Sequence, residues 1–225
     1  MDKPRSVGFS PGDSNLYRYV KNAPTNATDP SGYADKYGTS RSVNGTPNAN
    51  TVFDDLKENH NDVRFWLVVF SSGKAEKVVD FKGSNDGHAW IALVDTKTPS
   101  MVCKGFFPAE NTSPAPANPI VAGAIKDDSQ RKFTVARAYP IDSIKFKDVT
   151  KRLEILEKEP PDYDLGTNNC TDTAVRLGGL KGVPMIEINA AFAAGRKVLC
   201  PPNLAIFMQE NAPKGSFLYP IIKKE

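Results

Sequence analysis

The sequence predicts an α+β fold, an antiparallel sheet packed against helices. Apolar and β-branched runs of strand length fill residues 61 to 140, and helical periodicity appears only after Asp142. The strand candidates are separated by turns and a Pro-rich loop, and the helices follow the strands, an order that favours antiparallel pairing. Residues 1 to about 60, by contrast, are rich in Asn, Ser, Thr, Gly, Pro and Asp and carry too little apolar surface to offset the entropy of ordering.

The first strand is expected at Val63–Phe70, VRFWLVVF, ended by Ser71-Ser72-Gly73. KVVDFKG, residues 77–83, follows, and Ser84-Asn85-Asp86-Gly87 forms a turn into His88–Asp95. In HAWIALVD, His88, Trp90, Ala92 and Val94 fall on one face and Ala89, Ile91, Leu93 and Asp95 on the other. Both faces are largely apolar, so this strand should be central. Met101–Pro108 and Lys132–Pro140 supply two more strands, with Pro114, Pro116 and Pro119 in the loop between them. Val149, Leu153, Ile155 and Leu156 mark an amphipathic helix over Asp148–Glu159, stopped by Pro160-Pro161. Cys170–Leu177 reads as a second helix, capped by Asn168 or Asn169 and closed by Gly178-Gly179. A third is expected at Asn203–Asn211, entered through Pro201-Pro202.

Composition narrows the function classes. The chain has 225 residues, 40% hydrophobic and 24% charged, the balance of a globular protein. Lys and Arg total 29 against 26 Asp and Glu, and the cations are scattered, which argues against nucleic acid as a partner. The apolar runs fall far short of the roughly 20 residues that cross a bilayer, so no membrane span is expected. No apolar stretch follows Met1–Arg5, so no secretory signal is expected in this sequence. The three cysteines, Cys103, Cys170 and Cys200, cannot all pair, and with only His60 and His88 beside them they show no metal spacing. No metal or cofactor is expected.

One pair of residues points to chemistry. A thiol becomes a nucleophile as thiolate, and a helix N-terminus and a neighbouring imidazole both lower its pKa. Cys170 opens a helix, where backbone N–H groups face its sulfur and are placed to hold an oxyanion. His88 begins a strand directly after a turn, a position from which a base can reach a helix end. His60 lies in a polar stretch with nothing to pack it, whereas Cys103 and Cys200 sit in apolar contexts that suit buried thiols. Trp66, Phe70 and Trp90 read as core, and KRLEILEKE as a solvated helix face.

Two resemblances extend this reading. Asn15-Leu16-Tyr17-Arg18-Tyr19-Val20, Asn22, Pro24 and Asp29-Pro30-Ser31-Gly32 resemble the closing segment of an RHS-repeat core. In that family a β-cage encloses a variable C-terminal toxin, and core-ending acidic residues, here Asp13 or Asp29, are linked to self-cleavage. The implied organisation is an RHS-core terminal segment at 1–38, a linker at 39–60 and an effector domain at 61–225. The implied partners are the RHS carrier and a cognate immunity protein, with delivery into a target cell.

Gly87-His88 with Trp90, the KGFFP strand, and Tyr163-Asp164-Leu165 before Asn169-Cys170 resemble the permuted, papain-like branch of the NlpC/P60 superfamily. The resemblance implies that His88 is the general base and that Cys170 attacks a carbonyl to form an acyl-enzyme. Asn169, Asn168 and Tyr163 are then expected around the oxyanion or substrate. A third residue should orient the imidazole from the strand after the histidine, where Glu110 is the first choice, with Asp86 or a backbone carbonyl as alternatives and Asp95 too distant. The implied activity is an amidase or peptidase acting on peptidoglycan or protein. A lipid esterase or acyltransferase, a deamidase, and an inert binding module of the same fold are the competing readings.

Overall fold

A computed structural model describes residues 47–73, 87–114, 118–188 and 196–219. The RHS-like segment, the 77–83 strand and the Ser84–Asp86 part of the turn lie outside the described residues. The elements run α1 (Ala49–Asn59), β1 (Phe65–Ser71), β2 (Ala89–Asp95), β3 (Ser100–Pro108), β4 (Ile120–Val121), β5 (Gly123–Asp127) and β6 (Val135–Ile141). After them come α2 (Ser143–Lys158), β7 (Tyr163–Asp164), α3 (Cys170–Gly178), β8 (Ile186–Ile188), β9 (Arg196–Val198), α4 (Pro201–Glu210) and β10 (Phe217–Tyr219). The fold is α+β.

Six strands form one antiparallel sheet in the order β10-β6-β1-β2-β3-β5. β2 lies inside it, paired to β1 on one side and β3 on the other, and all seven of its residues are buried. Alternation along β2 sends Trp90, Ala92 and Val94 toward α1 and Ala89, Ile91 and Leu93 toward α2, α3 and α4. Two cores result, one on each face of the sheet. Such burial contributes roughly 1.5–3 kcal/mol per large apolar side chain, so the sheet is the rigid frame from which the site is built.

The linker expected at 39–60 ends earlier than its composition indicates. Asn48 caps α1 by accepting from the N–H groups of Asn50 and Thr51, at 3.0 and 3.3 Å. Ala49, Val52 and Leu56, spaced one helical turn apart, are fully buried in the same core as Trp66 and Phe70. His60, expected to lack packing, stands 3.8 Å from Phe217 between ring centroids, with its Nε2 3.8 Å from Asp55 Oδ2. The helical stripe was present in the sequence, but Asn and Asp between its apolar positions masked it.

The helices after Asp142 start and stop for local reasons. Asp142 Oδ1 accepts from the Lys145 N–H at 2.7 Å and sets the beginning of α2, about one turn before the expected start. Gly179, at φ +67°, closes α3 in the left-handed conformation that glycine adopts without strain. α4 begins with Pro201-Pro202, whose missing N–H groups remove donors that would otherwise lack partners. Buried Arg137 on β6 donates to Met208 O at 2.5 Å and Ser216 Oγ at 2.9 Å, tying the end of α4 and the approach to β10 to the sheet. No helix among the described residues is long and apolar enough to cross a membrane.

Candidate active site

β2 and α3 bring the two predicted reactive groups together. Backbone geometry fixes His88 first: its N–H donates to Ser72 Oγ at 2.8 Å, and its carbonyl accepts from the Ser72 N–H at 2.9 Å. Gly87 makes the approach possible. Its φ of +94° suits glycine, and a Cβ there would lie 2.7 Å from Gly73 Cα. The imidazole then stacks against Phe107, with centroids 4.2 Å apart, and against Trp90 at 5.7 Å.

The Asp164–Asn169 loop sets Cys170. Asp164 and Asn168 exchange backbone hydrogen bonds at 3.1 and 3.0 Å, and Asp164 Oδ1 accepts from the Gly166 N–H at 2.8 Å. Asn169 then caps α3, its Oδ1 accepting from the N–H groups of Thr171 at 2.8 Å and Asp172 at 3.2 Å. Asp172 completes the capping box by accepting from the Asn169 N–H at 3.2 Å. The Asn169 amide nitrogen donates to Leu165 O at 3.1 Å and Leu199 O at 3.0 Å. Replacing Asn169 with Ala should therefore cost about 2–4 kcal/mol, the sum of a lost cap and an orphaned buried carbonyl. Urea denaturation measures it, and a loss below 1 kcal/mol would contradict this account.

The sulfur is buried next to the His88 imidazole, the Ala89 amide and the Thr171 hydroxyl, the last at 3.9 Å. Burial alone would push the Cys170 thiol up, but His88, the Ala89 amide and the Thr171 hydroxyl outweigh it and hold the thiol below its ordinary range. Burial likewise pulls the His88 imidazole down, and its bonds to Asp128 and Cys170 outweigh that and raise it. The two directions agree. Each partner stabilises the charged form of the other, as a thiolate–imidazolium pair requires. Cys103 and Cys200 are buried elsewhere, and burial pushes the Cys103 thiol up.

The carboxylate beside the His88 ring is that of Asp128, where Glu110 was expected. Asp128 Oδ2 lies 2.9 Å from His88 Nε2. Glu110 is exposed and stands 3.9 Å from Lys126 Nζ, so it does not orient the ring. Asp95 is also committed elsewhere, to Arg64 at 3.0 Å, and Asp86 lies outside the described residues. Asp128 follows β5, which lies within the Pro-rich stretch between Pro108 and Lys132 that the sequence assigns to loop. In space β5 is the neighbour of β3, so the residue beyond it reaches the histidine. The GAIKDD run with its terminal acidic pair is the signal that marks it.

Gly105 makes room for that contact. It lies opposite Trp90 in the β2–β3 register, and a Cβ there would come within 2.6 Å of His88 Nε2 and closer still to Asp128 Oδ2. Only glycine leaves the space.

The three residues expected around the oxyanion separate into two roles. Asn169 is spent on the cap and on two carbonyls, as described above. Asn168 donates to Asp162 O at 2.6 Å and accepts from Arg176 Nη2 at 3.3 Å, so it too holds the loop. Tyr163 is the one at the sulfur. It is buried, paired through β7 with Val121, packed 5.2 Å from the Phe106 ring and adjacent to Cys170. Burial beside Cys170 pushes its phenol strongly up, so it remains a proton-bearing donor. Thr171 and Asp172 give their N–H groups to the Asn169 cap and are not free for an oxyanion.

No family model matches this sequence. No curated protein matches it either. Among solved structures, the chain is similar to one described as the type VI secretion system effector TseH, at a TM-score of 0.37 and 15% identity, covering 65% of this chain and 88% of that one. A likeness at this level leaves the chemistry to be argued from the side chains. Among the described residues, no group of His, Cys, Asp and Glu is arranged to hold a metal ion.

Proposed function

We propose that this chain is an effector whose folded domain is a cysteine hydrolase, cleaving an amide bond in peptidoglycan or protein through an acyl-enzyme. The observation that carries the reading is the Cys170–His88–Asp128 arrangement, with the sulfur at a helix N-terminus, the imidazole interacting with it, and a carboxylate 2.9 Å from His88 Nε2. In the first half-reaction the Cys170 thiolate adds to the carbonyl carbon. The protonated Tyr163 hydroxyl, beside the sulfur, stabilises the oxyanion. His88, protonated in the resting pair, gives its proton to the leaving amine as the C–N bond breaks, and a thioester remains. In the second, His88 takes a proton from water, hydroxide adds to the thioester, and the carboxylic acid and the thiolate are released.

The effector role rests on the resemblance of Ser10–Tyr33 to the end of an RHS core. It brings with it an RHS carrier, a cognate immunity protein and delivery into a target cell as further parts of the proposal. The test is expression in bacterial cytoplasm and in periplasm, native chain beside Cys170→Ala, with mass analysis of cell-wall fragments. Growth arrest with newly cleaved fragments, abolished by Cys170→Ala, is expected. Equal toxicity of the two chains would overturn the enzymatic reading.

A further inference from the structure

The Asp128 carboxylate does not face His88 alone. Its second oxygen, Oδ1, accepts from Arg131 Nε at 2.9 Å, while the Arg131 guanidinium lies over the Phe107 ring at 5.2 Å. Phe107 in turn stacks on His88 at 4.2 Å. The contacts close a ring, His88 to Asp128 to Arg131 to Phe107 and back to His88. The Arg131 N–H also donates to Asp128 O at 3.0 Å, which sets the turn that brings the side chain round. The proposed hydrolase chemistry uses His88 and leaves Arg131 without a role.

We propose that Arg131 is a positioning residue that tunes the Cys170–His88 pair by sharing the Asp128 carboxylate. This rests on the hydrolase reading above. An unshared carboxylate beside an imidazolium binds the proton tightly and makes it a poor acid toward a leaving amine. A guanidinium on the other oxygen draws off part of that charge, while the aromatic contact keeps the imidazole plane in place. Asp128 itself is seated without Arg131, because its own N–H bonds to Cys103 O at 3.4 Å and the space left by Gly105 receives it. Removing the cation therefore strengthens Asp128 as a partner for His88 instead of freeing it.

The other groups around His88 do not substitute for Arg131. Cys170 and Tyr163 approach from α3 and β7. Lys126 on β5 lies 6.0 Å from the Phe107 centroid, with Glu110 as its ion-pair partner at 3.9 Å. Ser72 contacts the His88 backbone only. Arg131 is thus the cation placed on the carboxylate.

The test follows Cys170 by ultraviolet thiolate absorbance and by iodoacetamide alkylation across pH, in the full chain and in Arg131→Gln, Arg131→Lys and Lys126→Gln. In Arg131→Gln the imidazolium is better stabilised, so more thiolate survives in acid. Alkylation at pH 5 should rise about threefold, on the scale where one pH unit is tenfold. Arg131→Lys, which keeps the cation, should return toward the native rate, and Lys126→Gln should match it. An unchanged or slower rate in Arg131→Gln, with native circular dichroism, would overturn the tuning role, and so would a faster rate without an acid shift of the thiolate absorbance midpoint, because loosened packing exposes the buried sulfur without moving that midpoint in this direction. If Cys170 in the native chain reacts no faster than Cys103 and Cys200, the Cys–His reading fails first, and the tuning role falls with it.

Discussion

His88→Ala is expected to slow alkylation of Cys170 near neutral pH by about a hundredfold or more, at tenfold per pH unit of lost thiolate stabilisation. The sign follows from opposing influences on the sulfur. Burial raises its pKa, and the hydrogen bond and charge of His88 are the largest influences lowering it. Without the imidazole, burial wins and the thiol stays protonated at neutral pH. In the native chain the rate should fall as pH drops through a midpoint below that of an ordinary thiol. In His88→Ala the midpoint should lie above it. A native-like midpoint in His88→Ala would show that the helix terminus and the Ala89 amide suffice, and that His88 is not the sulfur's partner. Thermal melting checks that the variant remains folded.

Gly105→Ala should have the next largest effect, although this residue has no functional group. A methyl on Cα105 would occupy the space in which Asp128 meets His88. The strand cannot move aside, because β3 is held in register between β2 and β5. Relief must come from the carboxylate and the ring separating, at an overpacking cost of about 1–3 kcal/mol. Alkylation of Cys170 at neutral pH should fall about tenfold, the loss expected when one pH unit of imidazolium stabilisation is removed. A double-mutant cycle makes this specific: adding Asp128→Asn to Gly105→Ala should cost little more, since the same contact is already lost. Full additivity would mean that Gly105 acts through some other contact.

Local chemistry determined much of this protein. The β2 alternation, the capping of α3 by an asparagine at 168 or 169, the stops at Pro160-Pro161 and Gly179, and the α+β order all depend on neighbours in sequence, and so were legible there. The two groups of the proposed dyad were legible for the same reason, since each stands at an element boundary marked by Gly87 or by Asn169. Short elements were not. β4, β5, β7 and β10 have too few residues for periodicity to register, and their strand character comes from pairing with β3, with one another or with β6.

Tertiary structure alone decided the rest of the site. Asp128 reaches His88 across 40 positions in sequence because β5 pairs with β3. Gly105 is required because two side chains from other segments meet above it, a fact no local pattern carries. Asn168 and Asn169, chemically suited to an oxyanion, are instead drawn into capping and loop closure by carbonyls from Asp162, Leu165 and Leu199. Sequence specifies which groups a segment can offer, because propensity and capping act over a few residues. Which groups remain free for chemistry is settled by the long-range contacts that satisfy the others first.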